Sequence, residues 1–184
     1  MSILKAIARQ CLYASLLMAW HTSIVSAQTS AIPEYQVKAA FLFNFTQFVE
    51  WPPSSFSTPQ APLVIGVFGK DPFGSYLKET IAGEKMDGHP LVIQHYSNIE
   101  DLRTCHILFI NETETYKVKQ VIESLKGRSI LTVSDKPDFI KNGGMIRLFI
   151  ENNKTKLRIN PEATKAANLV ISSKLLRIAE VFVP

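Results

Sequence analysis

The sequence predicts an α/β fold: a single three-layer domain with a mostly parallel sheet flanked by helices and an antiparallel addition near the C-terminus. Three observations predict it. Leu63–Phe68 and Cys105–Ile110 are unbroken apolar runs of strand length, which a strand needs only when both its faces are covered, as in a parallel sheet. Strand-like and helix-like stretches alternate from Pro62 to Val133, the order of βαβ units. After Gly143-Gly144 the pattern changes to two short neighbouring strands, a hairpin.

The elements follow in order. Pro33 to Trp51 is free of glycine and places Tyr35, Val37, Phe41, Leu42, Phe45, Phe48 and Val49 at helical spacing, with Gln36, Ala40, Asn44 and Gln47 on the opposite stripe and Pro52-Pro53 as the stop. The phenylalanine stripe Phe41, Phe45 and Phe48 is assigned to the core, against the alternative of an exposed docking face. Pro62–Phe68 is a strand, Gly69-Lys70-Asp71-Pro72 its turn, and Tyr76, Leu77 and Ile81 mark a helix. Gly83 to Gly88 reads as a turn, Leu91–His95 as a second strand and Cys105–Ile110 as a third. A helix over Thr115–Leu125, a strand over Ile130–Val133 and a helical turn at Asp138-Phe139-Ile140 come next. The hairpin pairs Met145–Ile150 with Lys156–Ile159 through Glu151-Asn152-Asn153. Asn160-Pro161-Glu162 has the residue order of a capped helix start, and Asn168 suits a left-handed stop. Leu169–Ile171 is a brief strand, and Ser172 caps a last helix with Leu175, Leu176, Ile178, Ala179 and Phe182 on one face.

Residues 1–27 carry Lys5 and Arg9, an apolar run from Cys11 to Trp20, and small residues ending Val25-Ser26-Ala27, the order of a secretory signal peptide cleaved after Ala27. The run is about half the length of a membrane span of about 20 residues. Ala8-Arg9-Gln10 before Cys11 is no lipobox, so the chain is not expected to be a lipoprotein. The expected mature chain, residues 28–184, is one domain. Sequons at Asn44, Asn111 and Asn153 are read as chance.

Of 184 residues, 46% are apolar and 20% charged, a globular composition. The formal charge is +4, and without Lys5 and Arg9 it is 18 basic against 16 acidic residues, +2. A balance so near neutral, with no long basic run, excludes a nucleic-acid partner held by phosphate neutralisation. Gly66-Val67-Phe68-Gly69 lacks the third glycine of a dinucleotide loop, and Gly69-Lys70-Asp71 lacks the hydroxyl of a phosphate loop. There is no Gly-x-Ser-x-Gly elbow, and His89, His95 and His106 have no ligand spacing. No cofactor, metal or catalytic residue is therefore expected, and the chain reads as a non-enzyme. Cys105 is the lone thiol of the mature chain, a small hydrophobe at the start of a buried strand. In an open parallel sheet ligands bind beyond the carboxyl ends of the strands. That edge should gather Gly69, Lys70 and Asp71, Asn111 and Glu112, and Ser134 and Asp135, as a ligand crevice or as ordinary turn residues and caps.

Tyr35-Gln36-Val37-Lys38-Ala39-Ala40-Phe41-Leu42-Phe43-Asn44-Phe45 with Phe48-Val49-Glu50-Trp51-Pro52 resembles the opening motif of the YfiR family. The resemblance continues through Ile65–Gly74, Cys105–Ile110, Leu131–Asp135, Gly143–Ile146 and Ile171–Leu176, in order over nearly all of the mature chain. It implies a periplasmic, non-enzymatic repressor that binds the periplasmic part of an inner-membrane diguanylate cyclase, lowering cyclic-di-GMP and biofilm formation. It further implies an outer-membrane lipoprotein able to sequester the repressor, and a homodimer. Better-known members carry additional cysteines, whereas Cys105 has no second cysteine after residue 27 to pair with. A periplasmic small-molecule sensor using the strand-end crevice is the alternative.

Overall fold

The computed structural model describes residues 33–102 and 104–183. The expected leader, its cleavage after Ala27, and Cys11 lie outside them. Helix α1 (Glu34–Phe48) runs into a two-residue strand β1 (Val49–Glu50). Strand β2 (Leu63–Gly69), helix α2 (Tyr76–Ile81), β3 (Lys85–Met86), β4 (His89–Tyr96), β5 (Ile107–Asn111), α3 (Thr115–Ser124) and β6 (Leu131–Ser134) follow. The C-terminal part holds β7 (Ile146–Glu151), β8 (Lys154–Ile159), α4 (Pro161–Ala166), β9 (Val170–Ile171), α5 (Ser173–Ile178) and β10 (Glu180–Val181).

The main sheet has eight strands in the order β10-β8-β7-β6-β5-β2-β4-β3. Pairings from β4 through β2, β5 and β6 to β7 are parallel, β3–β4 and β7–β8 are antiparallel, and β10 joins β8 in parallel. The predicted fold class is the one observed. β2 feeds β4 on one side while β5 and β6 extend the sheet on the other, so the order reverses between β2 and β5, the switch point of a doubly wound sheet.

Strand alternation sends Ile65, Val67, Ile107, Phe109, Leu131 and Val133 into one core with α1, α2 and α5, while Phe68, Leu108 and Ile110 enter a second core with α3, Leu102 and Phe139. That two-sided burial is why these strands are apolar at successive positions. Gly66 sits at a tight point of the second core. A Cβ there would lie 2.6 Å from Cys105 Sγ and 2.7 Å from the Tyr96 ring, so the strand tolerates no side chain at this point.

Several boundaries differ from the sequence reading for identifiable reasons. The first helix stops at Phe48, before the prolines, because Val49-Glu50 turns extended to pair with Ile171 and Val170 of β9. Its buried stripe is Lys38, Ala39, Leu42, Phe45 and Thr46; Phe45 is fully buried, whereas Phe41 and Phe48 are half-buried flankers packed against the core. The Gly83–Gly88 turn contains β3, closed on β4 by Asp87 and Gly88, both at positive φ. The third strand begins at Ile107, so Cys105 and His106 precede it. The C-terminal hairpin is tighter than expected. Asn152 and Asn153, at φ +50° and +57°, make a two-residue turn, and Glu151 and Lys154 are paired in the ladder. Asn160 caps α4 by accepting the Ala163 N–H, and Asn168 adopts φ +57°, as read from the sequence. Ser172 caps α5, but this helix ends at Ile178, which is exposed, and Glu180-Val181 forms β10 instead of a further turn.

Candidate functional site

The carboxyl edge of the sheet places the predicted residues along one rim, and each polar side chain there except that of Lys70 has an internal partner. Gly69 ends β2 at φ +87°, directly opposite Asn111 in the ladder, and a Cβ on it would lie 2.6 Å from the Asn111 carbonyl oxygen. Only glycine combines that torsion with that approach. Asn111 Nδ2 donates to the Lys70 carbonyl at 2.6 Å, tying the two loops across the switch point. The Lys70 side chain is exposed. Asp71 Oδ1 accepts the Phe73 N–H at 2.7 Å, and its Oδ2 lies 2.8 Å from His95 Nε2 on β4.

The other residues turn to opposite sides of the sheet. Glu112 Oε1 accepts the backbone N–H groups of Thr113 and Glu114 at 2.7 and 3.2 Å, where α3 begins. The Glu114 N–H, then the Thr113 N–H and the Lys117 charge, outweigh desolvation and hold this carboxyl below its usual value. Ser134 is buried and donates to the Ile110 carbonyl at 2.7 Å. Asp135 faces α1, accepting from the Tyr35 hydroxyl at 2.9 Å and from Lys38 Nζ at 2.7 Å.

Lys38 is the residue sequence reasoning missed. Its side chain is 2% exposed, pairs with both Glu34 and Asp135, and holds its ammonium 4.5 Å from the Tyr35 ring centre. Burial raises the Asp135 pKa, but the Lys38 hydrogen bond and charge, with Tyr35 and Lys136, outweigh it and leave the carboxyl below its ordinary value. Burial and the bond to Asp135 push the Tyr35 hydroxyl pKa upward. The helical period contained the signal: position 38 falls between Tyr35 and Leu42 on the buried stripe, where a lysine requires an acid partner.

A second unanticipated cluster lies under the amino ends of the strands. Phe56 stacks between His89 and His106 with ring centres 3.8 and 4.5 Å away, and the Trp51 indole donates to the His106 carbonyl at 3.2 Å. His106 Nδ1 accepts the Val64 N–H at 3.1 Å and its Nε2 faces the Ser55 carbonyl at 3.1 Å, which assigns the neutral tautomer protonated on Nε2. Burial, with the neighbouring His89 as a smaller cause, lowers the His106 pKa. Cys105 is buried, donates to the Ile107 carbonyl at 2.8 Å, and has its pKa pushed up to about 12 by burial, the opposite of an activated thiol.

Three hollows adjoin these groups. One of about 480 Å³ lies between α2 and β4, lined by Leu77, Ile81, Leu91 and Ile93 with Asp71 and His95 at its polar end. One of about 120 Å³ is flanked by Glu112, Lys136 and Asp138, and one of about 470 Å³ reaches Trp51, Phe56 and His89 at the opposite end of the sheet. No single hollow unites the seven rim residues. Among the described residues, no three His, Cys, Asp or Glu side chains converge as metal ligands.

Two of the solved structures that resemble the chain are the following. One is a conserved domain protein from Vibrio cholerae O1 biovar El Tor, with a TM-score of 0.51 and 12% identity over 83% of this chain and 61% of that one. The other is the ABC domain in complex with L-Trp from Streptococcus pneumonia, with a TM-score of 0.47 and 11% identity over 65% of this chain and 55% of that one. The chain thus spans less than two thirds of either, and the likeness to the Vibrio protein is one of fold. No curated protein matches the chain. The sequence profile of the family described as DUF4154, YfiR/HmsC-like, matches residues 35–180, from the start of α1 to β10. With this match over most of its length, the chain belongs to the YfiR/HmsC-like family, whose members are periplasmic regulators rather than catalysts.

Proposed function

We propose that this protein is a periplasmic regulator that binds and represses an inner-membrane signalling enzyme, a diguanylate cyclase, and so lowers cyclic-di-GMP and biofilm formation. The observation that carries the reading is the family match across residues 35–180, which takes in both cores, the α1 motif and the β7–β8 hairpin. The chemistry of the rim fits a binding protein. Asp71, Glu112, Ser134 and Asp135 each serve a backbone group or a neighbouring side chain, and the Cys105 thiol is held protonated. On this reading residues 1–27 are removed on export, residues 28–184 act as one domain and as a homodimer, and an outer-membrane lipoprotein relieves repression by sequestering the protein. Among the described residues, no helix is long and apolar enough to cross a membrane.

Affinity capture from detergent-solubilised inner membranes tests the reading. A diguanylate cyclase should co-purify, and cyclic-di-GMP should rise when the gene is deleted. Unchanged cyclic-di-GMP in the deletion strain overturns it. The second reading, a small-molecule sensor, is favoured by one observation: the hollow of about 480 Å³ beside Asp71 and His95 has the size and apolar lining of a ligand site. On that reading a metabolite bound there would raise the melting temperature, and Leu77→Trp, which fills the hollow, would cancel the rise.

A further inference from the structure

The β7–β8 hairpin shows the sheet two unlike faces. Ile146, Leu148, Leu157 and Ile159 enter the core with α1, and alternation sends Arg147, Phe149, Lys156 and Arg158 to the opposite side. No residue of β7 or β8 belongs to the core built around α3. Arg147 and Arg158 are direct partners in the ladder, and their guanidinium carbons sit 5.0 and 5.4 Å from the centre of the same Phe149 ring. Like charges directly opposite each other destabilise a strand pair.

The two arginines differ in how they are answered. Arg158 donates to Glu180 through Nε at 3.0 Å and through Nη2. Glu151 and Glu180 also face Lys156. The Arg147 side chain forms no hydrogen bond and no ion pair among the described residues, and its Nε is the one buried side-chain polar atom among them without a partner. Leaving a buried donor of a charged group unpaired is costly, and such a group in a folded protein calls for an explanation. Burial, then the Arg158 charge, lowers the Arg147 pKa, while Asp135, Asp138 and Glu180 pull the other way from beyond contact distance.

We propose that the Arg147–Phe149–Arg158 face is a docking surface for an acidic segment of a partner protein, whose side-chain carboxylate pairs with the Arg147 guanidinium while its apolar neighbour rests on Phe149. A planar fork of donors suits a carboxylate. The acids around it choose between partners. Glu151 and Glu180 flank the face and Asp138 acts on Arg147, so a densely anionic surface such as a lipid headgroup layer or a polyphosphate is repelled, whereas a single carboxylate is accommodated. The inference concerns the surface alone and does not depend on which protein supplies the acid.

The test follows the Arg147 Nε–H resonance of the ¹⁵N-labelled protein during titration with three probes: a blocked dipeptide of glutamate and leucine, its glutamine counterpart, and inorganic phosphate. The glutamate dipeptide should move the resonance saturably, with an affinity at least about tenfold above either control, a difference of about 1.4 kcal/mol. Absence of a saturable shift, an equal shift with the glutamine dipeptide, or tighter binding of phosphate each overturns the proposal. Phe149→Ala should weaken the response several-fold, and in Arg147→Lys, followed through the backbone amide of Phe149, the glutamate dipeptide should give no saturable shift while the protein melts no lower than the parent. The parent's own titration decides the matter even where a variant fails to fold.

Discussion

Lys38 and Arg147 each hold a buried nitrogen against the same sheet, and the fold treats them in opposite ways. Lys38 has two carboxylates, Glu34 and Asp135, and an aromatic ring against its ammonium, with its side chain 2% exposed. Arg147 has an aromatic ring too, but its direct neighbour in the ladder is another arginine and its Nε has no acceptor. A closed charge cluster joins helix to sheet and serves the fold; an open one weakens the fold and is available to something outside it. Removing one member of a buried pair typically costs about 3–5 kcal/mol, whereas replacing a charge that lacks a partner with an apolar side chain removes a desolvation cost.

The largest expected effect lies outside both clusters and calibrates them. Phe45 is fully buried in the α1 core, so Phe45→Ala should lose about 3–5 kcal/mol through lost burial and a cavity, seen as a large drop in thermal melting. Should this variant melt like the parent yet lose its partner, the α1 stripe would be a docking face and the contrast between core and hairpin would fail. Next comes Asp135→Ala, which leaves Lys38 buried with only Glu34 and should cost about 3 kcal/mol. Combining it with Lys38→Met should recover most of that loss; a double variant as unstable as the single one would show that the site is held by packing and not by charge.

Two pH windows sharpen the same point. The Asp135 pKa is lowered in the folded state, so its contribution is present above its unfolded value, about 3.9, and is lost as pH falls through the folded value. Asp135→Asn should therefore flatten the acid limb of a melting-temperature profile below about pH 4. His106 is also lowered, from a higher starting point. Burial disfavours the charged ring, so the unfolded chain binds its proton first and stability begins to fall as pH drops through about 6.5; the protonated ring also can no longer accept the Val64 N–H. His106→Asn, which retains an acceptor, should remove that fall below about pH 6.5; an unchanged slope would assign it to other groups. The smallest effect belongs to the outer face of α1, where Gln47 is exposed: Gln47→Ala should stay within about 0.5 kcal/mol of the parent.

What could be read from the sequence divides along physical lines. Unbroken apolar runs at Leu63–Phe68 and Ile107–Ile110 state that both faces are covered, and that alone leads to the parallel sheet. Local chemistry also read correctly, as in Asn160 with Pro161 and in Asn168, because caps depend on neighbours within four residues. Long-range pairing could not be read this way. The pairing of Val49 with Ile171 that ends α1 early, and the reach of Asp135 back to Lys38 across 97 residues, exist only once the chain has folded. The rim residues were placed on the right edge, but sequence spacing carries no information on which side of the sheet each would turn to. Asp135 turned to α1 and Glu112 to α3. Arg147 was invisible for a related reason: an arginine in an alternating strand reads as a solvated face, and the lack of an acid opposite it depends on the register with Arg158.

The most direct test of the contrast is the melting temperature of Lys38→Met beside that of Arg147→Met, in the same buffer near neutral pH. Lys38→Met strands the buried Asp135 carboxylate and should cost about 3 kcal/mol or more, a fall of about 6–12 °C for a domain of this size. Arg147→Met removes an unanswered charge and an orphaned donor, and should melt at or above the parent temperature. A fall for Arg147→Met as large as that for Lys38→Met would contradict the account, because Arg147 would then belong to the fold and not to a partner.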